Sequence, residues 1–496
     1  AKIPSAPLFT LSSAFHFSRI TQLLSASAFQ HPRASTSASL IQTLSSLILR
    51  SGSGPVALLR PITKDFDPDR DDIDLLLTDQ HRAALLAAAL EESAAGRLHL
   101  TVRQKCSEKV RLTLWNRAAS QRLQVDLWSV FSQLPNHPRK MIRAEDLLRF
   151  TGPASDTGAL ESGSIRLSAD VDFCLLVLHL AAKTKPLSSA SARERIRQAG
   201  DRLMVSIPEL FAADRPADEL ISLIEVSENL RTVARTIPNR FVRITENFLL
   251  ARLTGVMLQP RTNRNLFTGI RGWLMKRVRC VAVVGSDGAG KSSVCEAIGG
   301  RPSGNPPIVA KKLYRCSWLY RVVSSVTKKL TGFDRGRFDD SIAQLITLRG
   351  AISLWSGFAK RSANLLLDRS LGSFLITNRK SERPRLSRLT TWLEQILPPV
   401  TTVLLAVPFR ALVRRKAEFT SAAGHARYQQ LLFEQALRQR PCDLIVLANT
   451  GSAEDAARAF ESIRSSSLGT FGPRHQTSFN PQTCRNQRST GEESAT

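Results

Sequence analysis

Cysteine is scarce in this 496-residue chain and never clustered. The seven cysteines are scattered, and no two of them form a C-x-x-C pair. This pattern argues against a disulfide framework and against a structural zinc site. No apolar run approaches the 18 or more residues that a membrane-spanning helix requires. We therefore predict a protein of a reducing, cytoplasmic setting without a membrane span.

Acidic residues are also under-represented, with 42 Asp and Glu against 69 Lys and Arg, which gives a formal net charge of +27. A basic excess of this size fits nucleic acid, an anionic membrane or a phosphate-rich ligand as a partner. The excess is spread along the chain, however, and only 3 tyrosines are present to interleave with it. Nucleic-acid binding stays open but is not favoured.

The chain is too long for one hydrophobic core, so we expect several segments. The first acidic residue is Asp65. The Ser/Ala/Leu-rich stretch before it resembles either a transit peptide or a disordered extension. Composition and periodicity predict a disordered or leader segment at 1–54, an α/β domain at 55–200, a helical connector at 201–275, a second α/β domain at 276–465 and a disordered tail at 466–496.

A glycine-rich motif follows the short apolar run Val281–Val284, which we predict to be a buried strand. The motif fits G-x-x-x-x-G-K-[ST], the pattern of a loop whose backbone N–H groups bind phosphate oxygens. In this pattern Lys291 reaches the outer phosphates and the hydroxyl of Ser292 binds Mg²⁺. The predicted cofactors are therefore ATP and Mg²⁺, held by Gly285, Ser286, Asp287, Gly288, Ala289, Gly290, Lys291, Ser292 and Ser293.

The remainder of this domain alternates strands and helices, which predicts a parallel sheet with flanking helices. GTPases and ABC ATPases are not supported, because no N-K-x-D motif and no L-S-G-G-Q-like signature follows the loop. The loop itself resembles the G-x-D-G-[AS]-G-K-[ST]-[ST] loop of thymidylate kinases. Asp368 and Arg369 resemble the Asp-Arg pair that ends that family's third strand, and Arg414 and Arg415 lie where the family has a basic lid.

The resemblance implies a P-loop NTPase fold and phosphoryl transfer from ATP to a nucleoside monophosphate or another small phosphorylated acceptor. It implies catalytic roles for Lys291, Asp368, Arg369, Arg414 and Arg415, and magnesium ligation by Ser292 and Asp368. Arg349 lies where the family has an arginine that contacts the acceptor, a role that Arg369 would share. Ser370 departs from the Tyr or Phe that usually follows the pair, so the acceptor stays open, as does a homodimer.

The first α/β domain carries three carboxylates at spacings typical of a metal site. Asp72 and Asp74 are two residues apart on a predicted strand and so share one face, and Asp126 lies on another. The pattern resembles the nucleotidyltransferase superfamily, in which such residues hold Mg²⁺. That superfamily's Gly-Ser turn is missing, because Leu59 and Arg60 occupy its place.

Two further functions therefore stand beside the kinase hypothesis. One is a nucleotidyltransferase whose phosphate loop is regulatory. The other is a non-catalytic, ATP-dependent protein that binds nucleic acid through its basic surface.

Overall fold

The computed structural model describes about two fifths of the chain. The described residues are 34–52, 55–59, 66–68, 71–104, 109–132, 141–152, 166–167, 171, 175, 279–300, 309–311, 364–368, 376–377, 385–386, 401–415, 421–438 and 442–468. The predicted connector at 201–275, Arg349, Arg369 and most of the predicted tail lie outside them.

The protein has an α/β architecture built on one mixed sheet of ten strands. From one edge to the other the strands are β1 (Val56–Leu58), β2 (Asp72–Leu77), β5 (Arg122–Trp128), β4 (Lys109–Trp115), β3 (His99–Gln104), β16 (Cys442–Ala448), β15 (Thr401–Ala406), β10 (Arg279–Gly285), β12 (Asn364–Asp368) and β11 (Val309–Lys311). Six short strands form three two-stranded ladders, namely β6 (Val130–Ser132) with β7 (Met141–Arg143), β8 (Thr151–Gly152) with β9 (Arg166–Leu167), and β13 (Ile376–Thr377) with β14 (Arg385–Leu386).

The five strands of the C-terminal half are all parallel to one another. Their sequences are nearly continuous apolar runs, as expected for strands covered on both faces. β10 lies in the middle of this half, and the chain leaves it first toward β11 on one side and later toward β15 on the other. Ligands of open α/β sheets bind outside the carboxyl ends of the strands at such a reversal. The glycine-rich loop begins at this point.

The N-terminal half of the sheet joins the C-terminal half edge to edge. β3 pairs antiparallel with β16, from Cys442 opposite Gln104 to Val446 opposite Leu100. An ion pair between Arg103 and Asp443 of 3.1 Å lies beside this ladder. The two α/β segments predicted from the sequence therefore share one continuous sheet and one core.

Seven helices of the described residues flank the sheets: α1 (Ala34–Arg50), α2 (Asp79–Ala94), α3 (Ala144–Leu147), α4 (Lys291–Gly299), α5 (Phe409–Arg415), α6 (Ala422–Arg438) and α7 (Ala453–Leu468). α7 starts with a capping box, in which Ser452 and Asp455 bond each other's backbone N–H groups at 3.1 Å. None of the helices in the described part combines the length and the apolar character needed to cross a bilayer.

α1 differs from the expectation for residues 1–54. Residues 34–50 form a helix whose apolar side chains recur at helical spacing and are buried in the core, with Leu44 and Leu47 at most 1% exposed. Arg50 at its end bonds Glu91 at 2.5 Å and Glu92. A Ser/Ala-rich composition masked this amphipathic pattern, so the prediction of disorder is wrong for 34–50, whereas a leader role stays a prediction.

Apolar runs at 56–59, 73–77, 98–103, 110–115 and 123–128 predict strands, and Ala and Leu at helical spacing predict a helix at 81–94. These elements and the predicted strand at 281–284 are confirmed to within a few residues. The long apolar or alternating runs that predicted them are the strongest local signals a sequence carries.

Candidate functional site at the carboxyl edge of the parallel strands

The glycine-rich loop, residues 285–290, turns sharply between β10 and α4. Gly288 and Gly290 have φ angles of +87° and +84°, which a residue with a Cβ rarely adopts. Gly290 is also packed tightly, since a Cβ there would lie 3.3 Å from Nδ2 of Asn449. Ala289 N–H closes the turn onto the carbonyl of Ser286 at 3.0 Å. The sequence pattern of this loop therefore corresponds to a real backbone requirement.

Lys291 is the first residue of α4, and its side chain folds back over the loop. Its Nζ donates to the carbonyls of Gly285 at 3.0 Å and Ser286 at 2.7 Å, and it lies 3.3 Å from Oδ1 of Asp287. Although it is a lysine, it is only 7% exposed. A positive charge is thus held in the concave part of the loop, next to the N-terminus of a helix.

Ser292 and Asp368 meet beside the loop. β12 pairs with β10, and this register brings the carboxylate of Asp368 to the hydroxyl of Ser292, which donates to its Oδ2 at 2.8 Å. The other oxygen, Oδ1, is buried and has no hydrogen-bond partner among the residues that the structure describes. A buried, unsatisfied carboxylate oxygen is costly unless a ligand or cation completes it. Hydroxyl and carboxylate oxygens are also the ligands that Mg²⁺ prefers, so these two residues fit the ion.

A buried histidine supports the loop from behind. His425 of α6 bonds the hydroxyl of Ser286 through Nδ1 at 3.0 Å and the carbonyl of Val407 through Nε2 at 2.8 Å. Burial lowers the pKa of His425, which keeps the ring neutral. Gln429, one turn further along α6, donates to the same carbonyl of Val407 at 2.9 Å.

Asn449 and Arg415 approach the loop from the far ends of β16 and α5. Asn449 donates from Nδ2 to the carbonyl of Ala289 at 2.6 Å, and its buried Oδ1 has no partner among the described residues. Arg415 donates to the carbonyl of Gly451 at 3.3 Å, and its Nη1 lies 3.9 Å from the position of a Cβ on Gly290. Arg414 is exposed on the same helix.

The structure therefore brings together the loop residues, Lys291, Ser292, Asp368 and Arg415. Ser293 follows Ser292 but is exposed. Arg349 and Arg369 lie outside the described residues.

The three carboxylates of the N-terminal half also lie together, on β2 and β5. Ligand atoms of Asp72, Asp74 and Asp126 are within 4.8 Å of one another, which is compatible with a metal ion. Their register explains the proximity, because Asp74 and Asp126 are direct partners in the parallel pair. This cluster is far from Asp368, since β5 and β12 are six strands apart, about 29 Å at ~4.8 Å per strand.

Positively charged side chains already surround this cluster. Arg111 contacts Asp126 at 2.7 Å and 3.0 Å and Asp72 at 3.2 Å, and Lys109 bonds Asp126. The indole of Trp128 donates to Oδ1 of Asp74 at 2.9 Å. A metal ion would have to compete with a guanidinium and an ammonium for these oxygens, so the arrangement fits an internal ion-pair network better than a metal site.

The titration of Asp126 is consistent with that network. Burial raises the pKa of this fully buried carboxyl, but the hydrogen bonds and charges of Arg111 and Lys109 outweigh it, so the pKa lies below its usual range. The carboxylate is thus stabilised in its charged form by protein cations.

Comparisons of the chain with protein-family models, with curated proteins and with solved structures find no match. Any function therefore has to be argued from the site itself.

Sequence reasoning missed three residues of this site: His425, Gln429 and the side-chain contact of Asn449. His425 and Gln429 are one turn apart on α6, but nothing in a helical pattern tells a histidine that supports a loop from one in a core. Asn449 carried a weak signal, because it directly follows β16, whose parallel neighbour β15 pairs with β10, the strand that leads into the glycine-rich loop.

Proposed function

We propose that this protein is a magnesium-dependent, ATP-using phosphoryl transferase of the P-loop NTPase type that acts on a nucleoside monophosphate or another small phosphorylated acceptor. One observation carries the proposal: within the described part of the chain, the buried Oδ1 of Asp368 beside Ser292 has no hydrogen-bond partner, and it lies next to the loop that holds Lys291. A triphosphate and its magnesium ion would satisfy these groups together. The thymidylate-kinase-like order of motifs supports the same class of reaction.

Each described residue then has a simple task. The glycine-rich loop surrounds the phosphates with backbone N–H groups, and Lys291 turns from its loop carbonyls toward the outer phosphates. Ser292 and Asp368 hold the magnesium ion, which, when bound, neutralises charge on the phosphate oxygens. Arg415 lies near enough to Gly290 to add positive charge at the same end. Because phosphoryl transfer depends mainly on positioning and electrostatic stabilisation, this set is sufficient in kind.

The nucleotidyltransferase alternative is less well supported. Its three carboxylates are bonded by Arg111, Lys109 and Trp128, and they lie five or six strands from β10, which leads into the loop. Because the two clusters are this far apart, they cannot act on one bound triphosphate.

The test is a product assay with labelled ATP and a panel of nucleoside monophosphates. Lys291→Ala should reduce turnover by about 10²–10³, the usual effect of removing one group that stabilises a transition state. Ser292→Ala should also lower turnover, whereas Ser293→Ala, its exposed neighbour, is the matched control and should not. Turnover that survives Lys291→Ala would contradict the proposal.

The same assay separates the alternatives. Loss of product with Asp126→Asn, but not with Lys291→Ala, would indicate nucleotidyl transfer. Salt-dependent binding of DNA or RNA without any phosphorylated product would indicate the non-catalytic, nucleic-acid-binding alternative.

A further inference from the structure

The N-terminal half of the sheet contacts the segment 448–452, which connects β16 to α7 beside the glycine-rich loop. The backbone ladder between β3 and β16 is regular up to Val446 opposite Leu100. Beyond this pair, a side-chain hydrogen bond replaces the backbone ones: Nδ1 of His99 accepts a hydrogen bond from the N–H of Ala448 at 3.0 Å. An imidazole thus continues the pairing of the two halves at the carboxyl end of β16.

The ring of His99 is fixed in one orientation and one tautomer. Its Nε2 lies 3.0 Å from the carbonyl of Arg117, which only accepts, so Nε2 carries the proton and Nδ1 is free to accept from Ala448. His99 is 3% exposed, and burial lowers its pKa, which keeps the ring neutral as this geometry requires.

The next residue transmits this contact to the loop. Asn449 donates from its backbone to the carbonyl of Ala406 at 2.8 Å and from its side chain to the carbonyl of Ala289 at 2.6 Å. Ala289 is part of the glycine-rich loop. His99, Ala448, Asn449 and Ala289 are therefore linked by consecutive short contacts that are all buried.

A second contact holds the same segment. Gly96, at the turn before β3, has φ +82°, and a Cβ there would lie 2.6 Å from Cγ2 of Thr450. Arg117 also donates to Oγ1 of Thr450 at 3.4 Å. The segment is thus fitted closely against the N-terminal half.

We infer that His99 is a positioning residue for nucleotide binding: the N-terminal half of the sheet holds the glycine-rich loop in its binding conformation through Ala448 and Asn449. This inference rests on the proposed function, because it assumes that the loop binds a nucleotide. It assigns the N-terminal half a role that does not require its own chemistry.

The experiment measures the dissociation constant of Mg·ATP by calorimetry with the full chain. His99→Leu removes the acceptor and should raise the constant about tenfold. His99→Asn keeps an acceptor near the position of Nδ1 and should stay within about threefold of the wild type. His81→Leu, which removes another buried histidine far from the loop, is the matched control and should not change the constant.

A second pair of variants does not alter His99. Gly96→Ala should weaken Mg·ATP binding by pressing on Thr450, and adding Thr450→Ser, which removes Cγ2, should restore part of it, because the strain of an alanine at φ +82° remains. A purely structural role for Gly96 would lower the melting temperature without this restoration. Equal constants for folded His99→Leu and His81→Leu, or unaltered binding in folded Gly96→Ala, would overturn the inference.

The same binding measurements distinguish a failure of the proposed function from a failure of this inference. If the wild type binds no Mg·ATP, or Lys291→Ala binds it as the wild type does, the proposed function is wrong. Amide hydrogen exchange of residues 285–291 then still decides the positioning role. Faster exchange in His99→Leu than in His81→Leu supports it, and equal exchange overturns it.

Discussion

The protein contains two groups of carboxylates that look alike in sequence and differ in what surrounds them. Asp72, Asp74 and Asp126 are bonded by a lysine, an arginine and a tryptophan, whereas one buried oxygen of Asp368 meets no partner in the described ranges. Acidic residues at strand positions are therefore not evidence of a metal site until their partners are known. A carboxylate whose charge is compensated by protein cations stabilises the fold. A buried carboxylate oxygen that lacks a hydrogen-bond partner is suited to binding a ligand.

The largest effect that would sharpen this comparison is expected at Asp368. Asp368→Asn keeps the shape of the side chain but removes its charge, so the magnesium ion loses a ligand or a close anionic neighbour. We expect magnesium-dependent turnover to fall by about 10–100-fold. The measurement is the initial rate as a function of magnesium concentration. If the variant behaves as the wild type, Asp368 does not serve the ion.

The second expected effect is a lower free energy of unfolding when Asp126 loses its charge. Asp126→Asn leaves Arg111 and Lys109 without their buried carboxylate. We expect a loss of about 2–3 kcal/mol in the free energy of unfolding, less than for a fully buried pair because both cations are about one-third exposed. Denaturant unfolding measures this loss.

The control for Asp126 is its effect on ATP affinity and turnover, which should remain at wild-type values in the folded variant. A large loss of activity at unaltered stability would reverse the comparison and make the N-terminal cluster the chemical site.

A third effect is the dependence of stability on pH. Burial lowers the pKa of His81, His99 and His425, so the unfolded chain binds more protons than the folded one below about pH 6.5. The stabilisation is complete above that pH and is lost as the pH falls. We expect a loss of about 1–2 kcal/mol between pH 6.5 and 5.5.

Unfolding in urea at both pH values measures this dependence, and His99→Asn should reduce the slope. Stability that rises on acidification in this range would mean that these histidines are charged in the folded protein. Asp126 contributes only at more acidic pH, because its pKa lies below its usual range.

The smallest effect is expected at the two arginines of α5. Both side chains are exposed, and Arg415 reaches the carbonyl of Gly451 and lies near Gly290. We expect Arg415→Ala to lower turnover about fivefold, in the range of one exposed charge. Arg414→Ala is its matched control, and equal effects of both would favour a diffuse basic lid.

Elements of the fold that depend on residues close together in the sequence were predictable, and elements that depend on tertiary packing were not. The strand before the glycine-rich loop, the central strands of the N-terminal half and the helix at 79–94 follow from runs of apolar residues. The loop follows from glycines that permit φ angles near +85°. By contrast, α1 was not predicted. Its sequence is rich in Ser and Ala, and its helix is stabilised by burial of its apolar side chains against the core, which the local sequence does not show.

The sequence by itself determined the glycine-rich loop, the lysine and serine that follow it, and the α/β class of both halves. These features depend on backbone conformation and hydrophobic periodicity, which neighbouring residues in the sequence determine. Only the tertiary structure decided that β3 pairs with β16, that Arg111 compensates Asp126 across strands, that His425 bonds Ser286 of the loop and that His99 bonds Ala448. Such contacts join residues up to about 350 positions apart, as between His99 and Ala448, and their energies depend on burial, which no local pattern records.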